Sequence, residues 1–171
     1  MMRALAFIWS DRRGSAAAEM ALVAPLLATL MFGSLEMGKY FWDEHLVTKA
    51  VRDGARFASR QSFASMPCGG PATNEAAIKN VVRYGKPVVT GSDQPLLYYW
   101  TSAATITVTI NCYPNAGLNG ARVYDGIYTS RADVPRVTVS ASVPYTPLAA
   151  LFGINGGSTL NASSQATVFG L

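Results

Sequence analysis

Side chains able to do chemistry are scarce in this chain and widely spread. The single histidine, His45, sits beside Asp43 and Glu44, and the two cysteines, Cys68 and Cys112, are distant in sequence from each other and from that histidine. One His and two Cys fall short of the four ligands a structural zinc takes, so no metal or other cofactor is expected. A cysteine nucleophile needs a nearby base, and His45 is remote from both thiols. No phosphate-binding glycine loop, catalytic carboxylate pair or nucleophile elbow is present, and no enzymatic activity is expected. What stands out is Glu19, a lone carboxylate at the head of an apolar run, preceded by Arg12, Arg13, Gly14 and Ser15. A charged acid in hydrocarbon costs at least ~2.5 kcal/mol even on lenient scales, so such a residue normally has a partner or a function.

The element that positions Glu19 is the run itself. Ser15 to Leu35 is 21 residues with one charge and one proline, Pro25. At 1.5 Å per residue it spans roughly 31 Å, the thickness of a bilayer's hydrocarbon core. Leu22 to Phe32 has no polar residue except Thr29, whereas a helix in a soluble core carries a polar stripe. A membrane helix over 15–38 is therefore predicted. Arg3, Arg12 and Arg13 precede it, and Glu36, Asp43 and Glu44 follow alongside Lys39, which places the N-terminus in the cytoplasm and residues 39–171 outside. The chain has 171 residues, half of them hydrophobic, and a net charge of +4 without a block of like charges, which excludes the footprint of a nucleic-acid binder.

Ala16-Ala17-Ala18 has the small residues that signal peptidase requires, but it precedes the apolar run, whereas a secretory cleavage site follows one. A basic leader, a glycine, and a glutamate five residues later at the start of an apolar helix instead resemble the leader of type IV pilin-like proteins. The segments Ala18-Glu19-Met20-Ala21-Leu22-Val23-Ala24-Pro25-Leu26-Leu27, Gly33 to Gly38 and Ala50 to Ala58, with Val137 to Leu148 and Gly156 to Leu160 near the end, narrow this to a resemblance to the TadE-like (tight-adherence) pseudopilin family. The resemblance implies a minor, non-catalytic subunit of Flp-type pilus assembly, in the bacterial inner membrane with its larger part in the periplasm. It implies cleavage between Gly14 and Ser15 by a membrane-embedded prepilin peptidase acting on the cytoplasmic side, with Arg12 and Arg13 as the basic leader (1–14). Ser15 departs from the Phe or Met that usually starts a mature pilin. Glu19 becomes the fifth mature residue, able to pair with the new α-amino group of a neighbouring subunit. Partners implied are the peptidase, sister pseudopilins and the bilayer, with no nucleic acid or small-molecule substrate. The other reading is a membrane-anchored periplasmic binding or scaffold protein whose leader is never processed.

Beyond the membrane, Glu36 to about Gln61 keeps helical spacing, with Val47, Ala50, Val51, Gly54, Ala55 and Ala58 on one side. Ala50, Gly54 and Ala58 form a small-residue row that lets another backbone approach, and Arg52, Arg56 and Arg60 form a neighbouring basic row. These rows are either a candidate partner-contact face or, for the arginines, a solvated one. A second helix is predicted from Thr73 or Asn74, either of which can cap it, to Tyr84, with Gly85 as its stop. Leu96 to Trp100 reads as core or a short strand.

Thr105 to Cys112 and Val137 to Val143 alternate apolar with polar residues, and further strands are predicted at Arg122 to Tyr128 and Leu160 to Phe169. The expected fold is α+β: a long N-terminal transmembrane and extended helix with a small antiparallel sheet packed on its outer half. Both cysteines lie on the external side, where an even pair usually forms a disulfide; two free buried thiols are the alternative. A Cys68–Cys112 bridge would stabilise the domain by about 2–4 kcal/mol.

Overall fold

The structure, a computed structural model, describes residues 13–117, 120–152 and 156–170. The element order is helix α1 (Arg13–Ser59), helix α2 (Glu75–Tyr84), and strands β1 (Ile106–Pro114), β2 (Asp133–Pro144) and β3 (Thr159–Thr167). The chain divides into two compact units, Met1–Lys39 and Tyr40–Leu171, and α1 contributes to both.

In the first unit α1 exposes its large apolar side chains all round, including Leu22, Leu26, Leu27, Leu30, Phe32 and Leu35. The two hydroxyls of this stretch are turned inward on the helix itself. Thr29 Oγ1 donates to the Pro25 carbonyl at 2.8 Å and Ser34 Oγ to the Leu30 carbonyl at 2.7 Å. Such back-bonding leaves no hydroxyl seeking water. The helix passes through Pro25 without a break, as membrane helices tolerate.

In the second unit α1 obeys a different rule. Asp43, Val47, Ala50, Val51, Gly54, Ala55, Ala58 and Ser59 are buried, while Arg52, Arg56 and Arg60 are exposed. The buried row packs with Ile78 and Val82 of α2 and with Val137, Val139, Ala141 and Val143 of β2 in one core. The sheet is antiparallel in the order β1-β2-β3, with Ile106 opposite Ala141 and Val143 opposite Leu160. Its alternation puts Val137, Val139, Ala141 and Val143 inside and Thr138, Ser140 and Ser142 on the other face. The α+β expectation holds: a long N-terminal helix with a three-stranded antiparallel sheet packed against it.

The predicted second helix is present as Glu75–Tyr84, and Gly85, at φ 76°, ends it with its N–H bonded to the Val81 carbonyl. Asn74 stands at the cap position but does not cap with its side chain; its Nδ2 donates to Gln61 Oε1 at 2.8 Å instead, joining the start of α2 to the end of α1. The Cys68–Cys112 disulfide is formed, tying the connection after α1 to β1 across 44 residues of sequence.

Leu96 to Trp100 follows the core reading: it forms no strand, and Leu97 and Trp100 enter the core. Two other local expectations change. Arg122 to Tyr128 is not a strand either: one isolated bridge, Ala116 to Arg122, is followed by a 3-10 turn at Gly126–Tyr128. The cause is Asn115, whose buried side-chain amide donates to the carbonyls of Tyr124 and Tyr128 and accepts from the Tyr124 N–H. Those bonds curl the segment around one residue where a ladder would extend it. Finally β3 stops at Thr167: the Val168 N–H still bonds in register to the Pro135 carbonyl, but a proline has no N–H to return, and the Phe169 N–H leaves the sheet for the Ser59 carbonyl.

Gly54 is where α1 and α2 touch. A Cβ built there would collide with Val82 Cγ2, and the Ile78 carbonyl lies 3.8 Å away. Ala gains up to about 1 kcal/mol over Gly in helix propensity, whereas overpacking costs about 1–3 kcal/mol, so the clash should win. Gly54→Ala is expected to lower unfolding stability by roughly 1–2 kcal/mol in urea denaturation of the detergent-solubilised chain. Combined with Val82→Ala, it should cost less than it does alone. An additive pair of effects would show that the two helices do not depend on this contact.

Candidate functional site

The sequence-predicted site falls into separate pieces. Arg12 and the rest of the leader before it lie outside the described residues. Gly14 is exposed at the start of the described part of α1, with a φ outside the left-handed region and, among the described residues, nothing within 4 Å of a Cβ added there. Neither space nor backbone therefore requires glycine at this position. Among the described residues, cleavage after Gly14 would remove Arg13 and Gly14 from α1. Glu19 is exposed one turn after Ser15, about 6 Å along the axis.

The candidate partner-contact face divides by row. Ala50, Gly54 and Ala58 are buried in the chain's own core, and the backbone that their small size admits is that of α2. Arg52 and Arg56 stay exposed. Lys49 pairs with Asp53 at 3.5 Å, an exposed contact worth a few tenths of a kcal/mol at most. His45 is exposed, and among the described residues no group of three or more His, Cys, Asp or Glu gathers to hold a metal. The outward face of the sheet carries Thr107, Ser140, Ser142, Asn161 and Ser163, none of which titrates in the physiological range.

Where α1 enters the second unit lies a cluster the sequence did not single out. Asp43 is buried at 5% exposure and accepts a 2.7 Å hydrogen bond from Tyr99 Oη. Around it the rings of Tyr40 and Tyr145 meet edge to face at 5.2 Å, Tyr99 and Tyr145 at 6.5 Å, and Tyr98 and Tyr99 at 5.1 Å. Burial, and then the Asp43 carboxylate facing the phenol, push the Tyr99 hydroxyl far above its ordinary range. The signal was present in the spacing: Asp43 is one turn before Val47, in phase with the buried row.

Comparison with known proteins adds one decisive observation. Residues 14–56 match the family model of TadE-like proteins. The TadE-like stretch covers Gly14, Glu19, the exposed apolar helix and the start of the buried row, as the resemblance implied. It ends at Arg56, so the sheet segments near the C-terminus lie outside it. No curated protein and no solved structure matches the chain. One N-terminal apolar helix followed by a folded domain fits a single-pass membrane anchor.

The Asp43–Tyr99 pair makes a pH-dependent prediction. With its pKa raised in the folded chain, Tyr99 holds its proton where an unfolded tyrosine, titrating near 10, has lost it. Its contribution to stability is thus complete below about pH 10 and falls as pH rises above it. Tyr99→Phe should cost about 1–3 kcal/mol near neutrality, because Asp43 loses a donor, and should flatten the alkaline decline. Urea midpoints measured between about pH 8 and pH 11 test both. An unchanged midpoint at neutrality would mean that the bond adds nothing.

Proposed function

We propose that this chain is a minor pilin-like subunit of a tight-adherence pilus assembly system, anchored by α1 in the inner membrane with the residues after it in the periplasm. The TadE-like match over residues 14–56 carries this reading. A glycine that packing does not require, placed five residues before the one carboxylate of an exposed apolar helix, supports the finer reading that a prepilin peptidase cuts between Gly14 and Ser15.

The chemistry belongs to the peptidase. Water adds to the Gly14 carbonyl, the C–N bond to Ser15 breaks, and the departing nitrogen takes a proton to become the α-amino group of the mature chain. That amine, with an ordinary pKa near 8, carries a positive charge at the membrane boundary. A Glu19 carboxylate from a neighbouring subunit neutralises it, which lowers the cost of both charges when two subunits meet. The pairing favours assembly and sets the axial register of the two helices.

Expressed with its matching peptidase, the mature chain should begin at Ser15, and Gly14→Val should block cleavage because a branched side chain obstructs the site. N-terminal sequencing that finds the leader retained in the presence of active peptidase favours the unprocessed anchored scaffold instead. Glu19→Ala should be inserted and cleaved nearly normally, yet lose co-purification with its partner pseudopilin and give few or no pili. Glu19→Asp should be intermediate, keeping the charge with a shorter reach. Normal piliation in the Ala variant would remove the carboxylate from the mechanism.

A further inference from the structure

The Asp43 cluster marks the end of the second unit where α1 enters, and that end has an unusual surface. Trp42 is 73% exposed, Tyr98 72% and Phe41 59%. Tyr98 is tied to the turn of α1 that carries Phe41 and Trp42 through two contacts: Asp43, next to Trp42, accepts from Tyr99, and Tyr99 meets Tyr98 edge to face. Val88 is also exposed at this end, on the loop that follows α2. The placement of that loop is fixed by the direction of α2, whose start is bonded to Gln61, whose middle meets Gly54, and whose Arg83 donates to the Trp100 carbonyl at 2.7 Å.

Exposed Trp and Tyr at a domain end normally mean a partner, and chain continuity says which one. Trp42 is five residues after Met37, itself an exposed apolar residue, or about 7.5 Å of helix. The polar layer on each side of a bilayer is about 5–7 Å deep. Aromatic side chains concentrate in that layer because a ring can lie among the acyl-chain ends while its N–H or O–H meets water.

We propose that Phe41, Trp42 and Tyr98 form an interfacial belt by which the folded domain rests on the outer leaflet, its Asp43–Tyr99 end turned toward the lipid. The inference rests on the membrane-anchor reading of α1 and adds an orientation to it. Phe41 and Trp42 hold the helix at its depth. Tyr98, reached through 55 further residues of chain, gives the domain a second point of contact, which removes its freedom to swing on the helix.

The test uses the full chain with its disulfide intact, spin-labelled at single introduced cysteines and reconstituted in vesicles of phosphatidylethanolamine and phosphatidylglycerol. Tyr98→Cys and Trp42→Cys are the test sites. Ile127→Cys, exposed at the opposite end of the domain beside Tyr128, and Leu27→Cys, in the apolar helix, are the references. Labels at 98 and 42 should show oxygen-to-nickel accessibility several-fold above that at 127 and below that at 27, unchanged on dilution with lipid. An aqueous value at 98 beside a bilayer value at 27 overturns the belt and leaves the anchor standing. A label at 98 shielded from both reagents, with spectral broadening that grows with protein density, overturns it in favour of a second copy. An aqueous value at 27 defeats the anchor reading and the belt with it.

Discussion

A helix in lipid and a helix on a folded domain answer to different solvents, and α1 carries the pattern of each along one unbroken backbone. In lipid every side may be apolar but no polar group may go unbonded; on a domain one side must be apolar and the other wet. The switch lies between Met37 and Val47. Before it, Leu22 to Leu35 are exposed all round and Thr29 and Ser34 bond back to the helix; after it, Val47, Ala50, Val51, Gly54 and Ala58 are buried beside exposed Arg52 and Arg56. The rest of the second unit is arranged around that buried row. α2 lies on it because Gly54 has no Cβ, and the valines of β2 share its core.

The aromatic cluster sits at the switch. Tyr40 and Asp43 are the first side chains of α1 to engage the folded unit, and both meet tyrosines: Tyr145 beside Tyr40, and Tyr99 on Asp43. A carboxylate buried at that position is costly unless it is bonded, and a phenol supplies a donor without adding a second charge. A lysine there would make an ion pair, whose full desolvation is seldom recovered.

How much of this was legible in the sequence depends on whether a pattern or a single contact made the structure. The buried row of α1, the alternation of β1 and β2, and the glycine stop of α2 repeat a period or use a residue for its backbone, and they were read correctly. The paired cysteines were legible from their even number and external placement. Arg122 to Tyr128 was misread because its β-like composition is overruled by Asn115, a residue outside it whose amide replaces the strand ladder. Asn74 was misread in role because Gln61 offers its side chain a better acceptor. Asp43 counts in the sequence as one more acidic residue flanking the membrane helix; only the fold supplies Tyr99. Of the candidate contact face, spacing correctly separated the small row from the arginine row, but spacing carries no information on whether the backbone admitted by Gly54 is the chain's own.

Two glycines of α1, Gly14 and Gly54, show how a fold separates residues it explains from residues it does not. At Gly54 a Cβ would strike Val82, so the glycine is accounted for by packing alone and says nothing of function. At Gly14, as at Gly33 and Gly38, a Cβ would meet nothing among the described residues and φ is ordinary, although glycine inside a helix costs roughly 1 kcal/mol against alanine. The same contrast holds for the carboxylates. Asp43 is buried on Tyr99 and serves the fold, whereas Glu19 stands exposed on the apolar stretch of α1 that belongs to the first unit. The packing of the second unit thus accounts for Gly54 and Asp43 and leaves Gly14 and Glu19 to the proposed cleavage and subunit pairing.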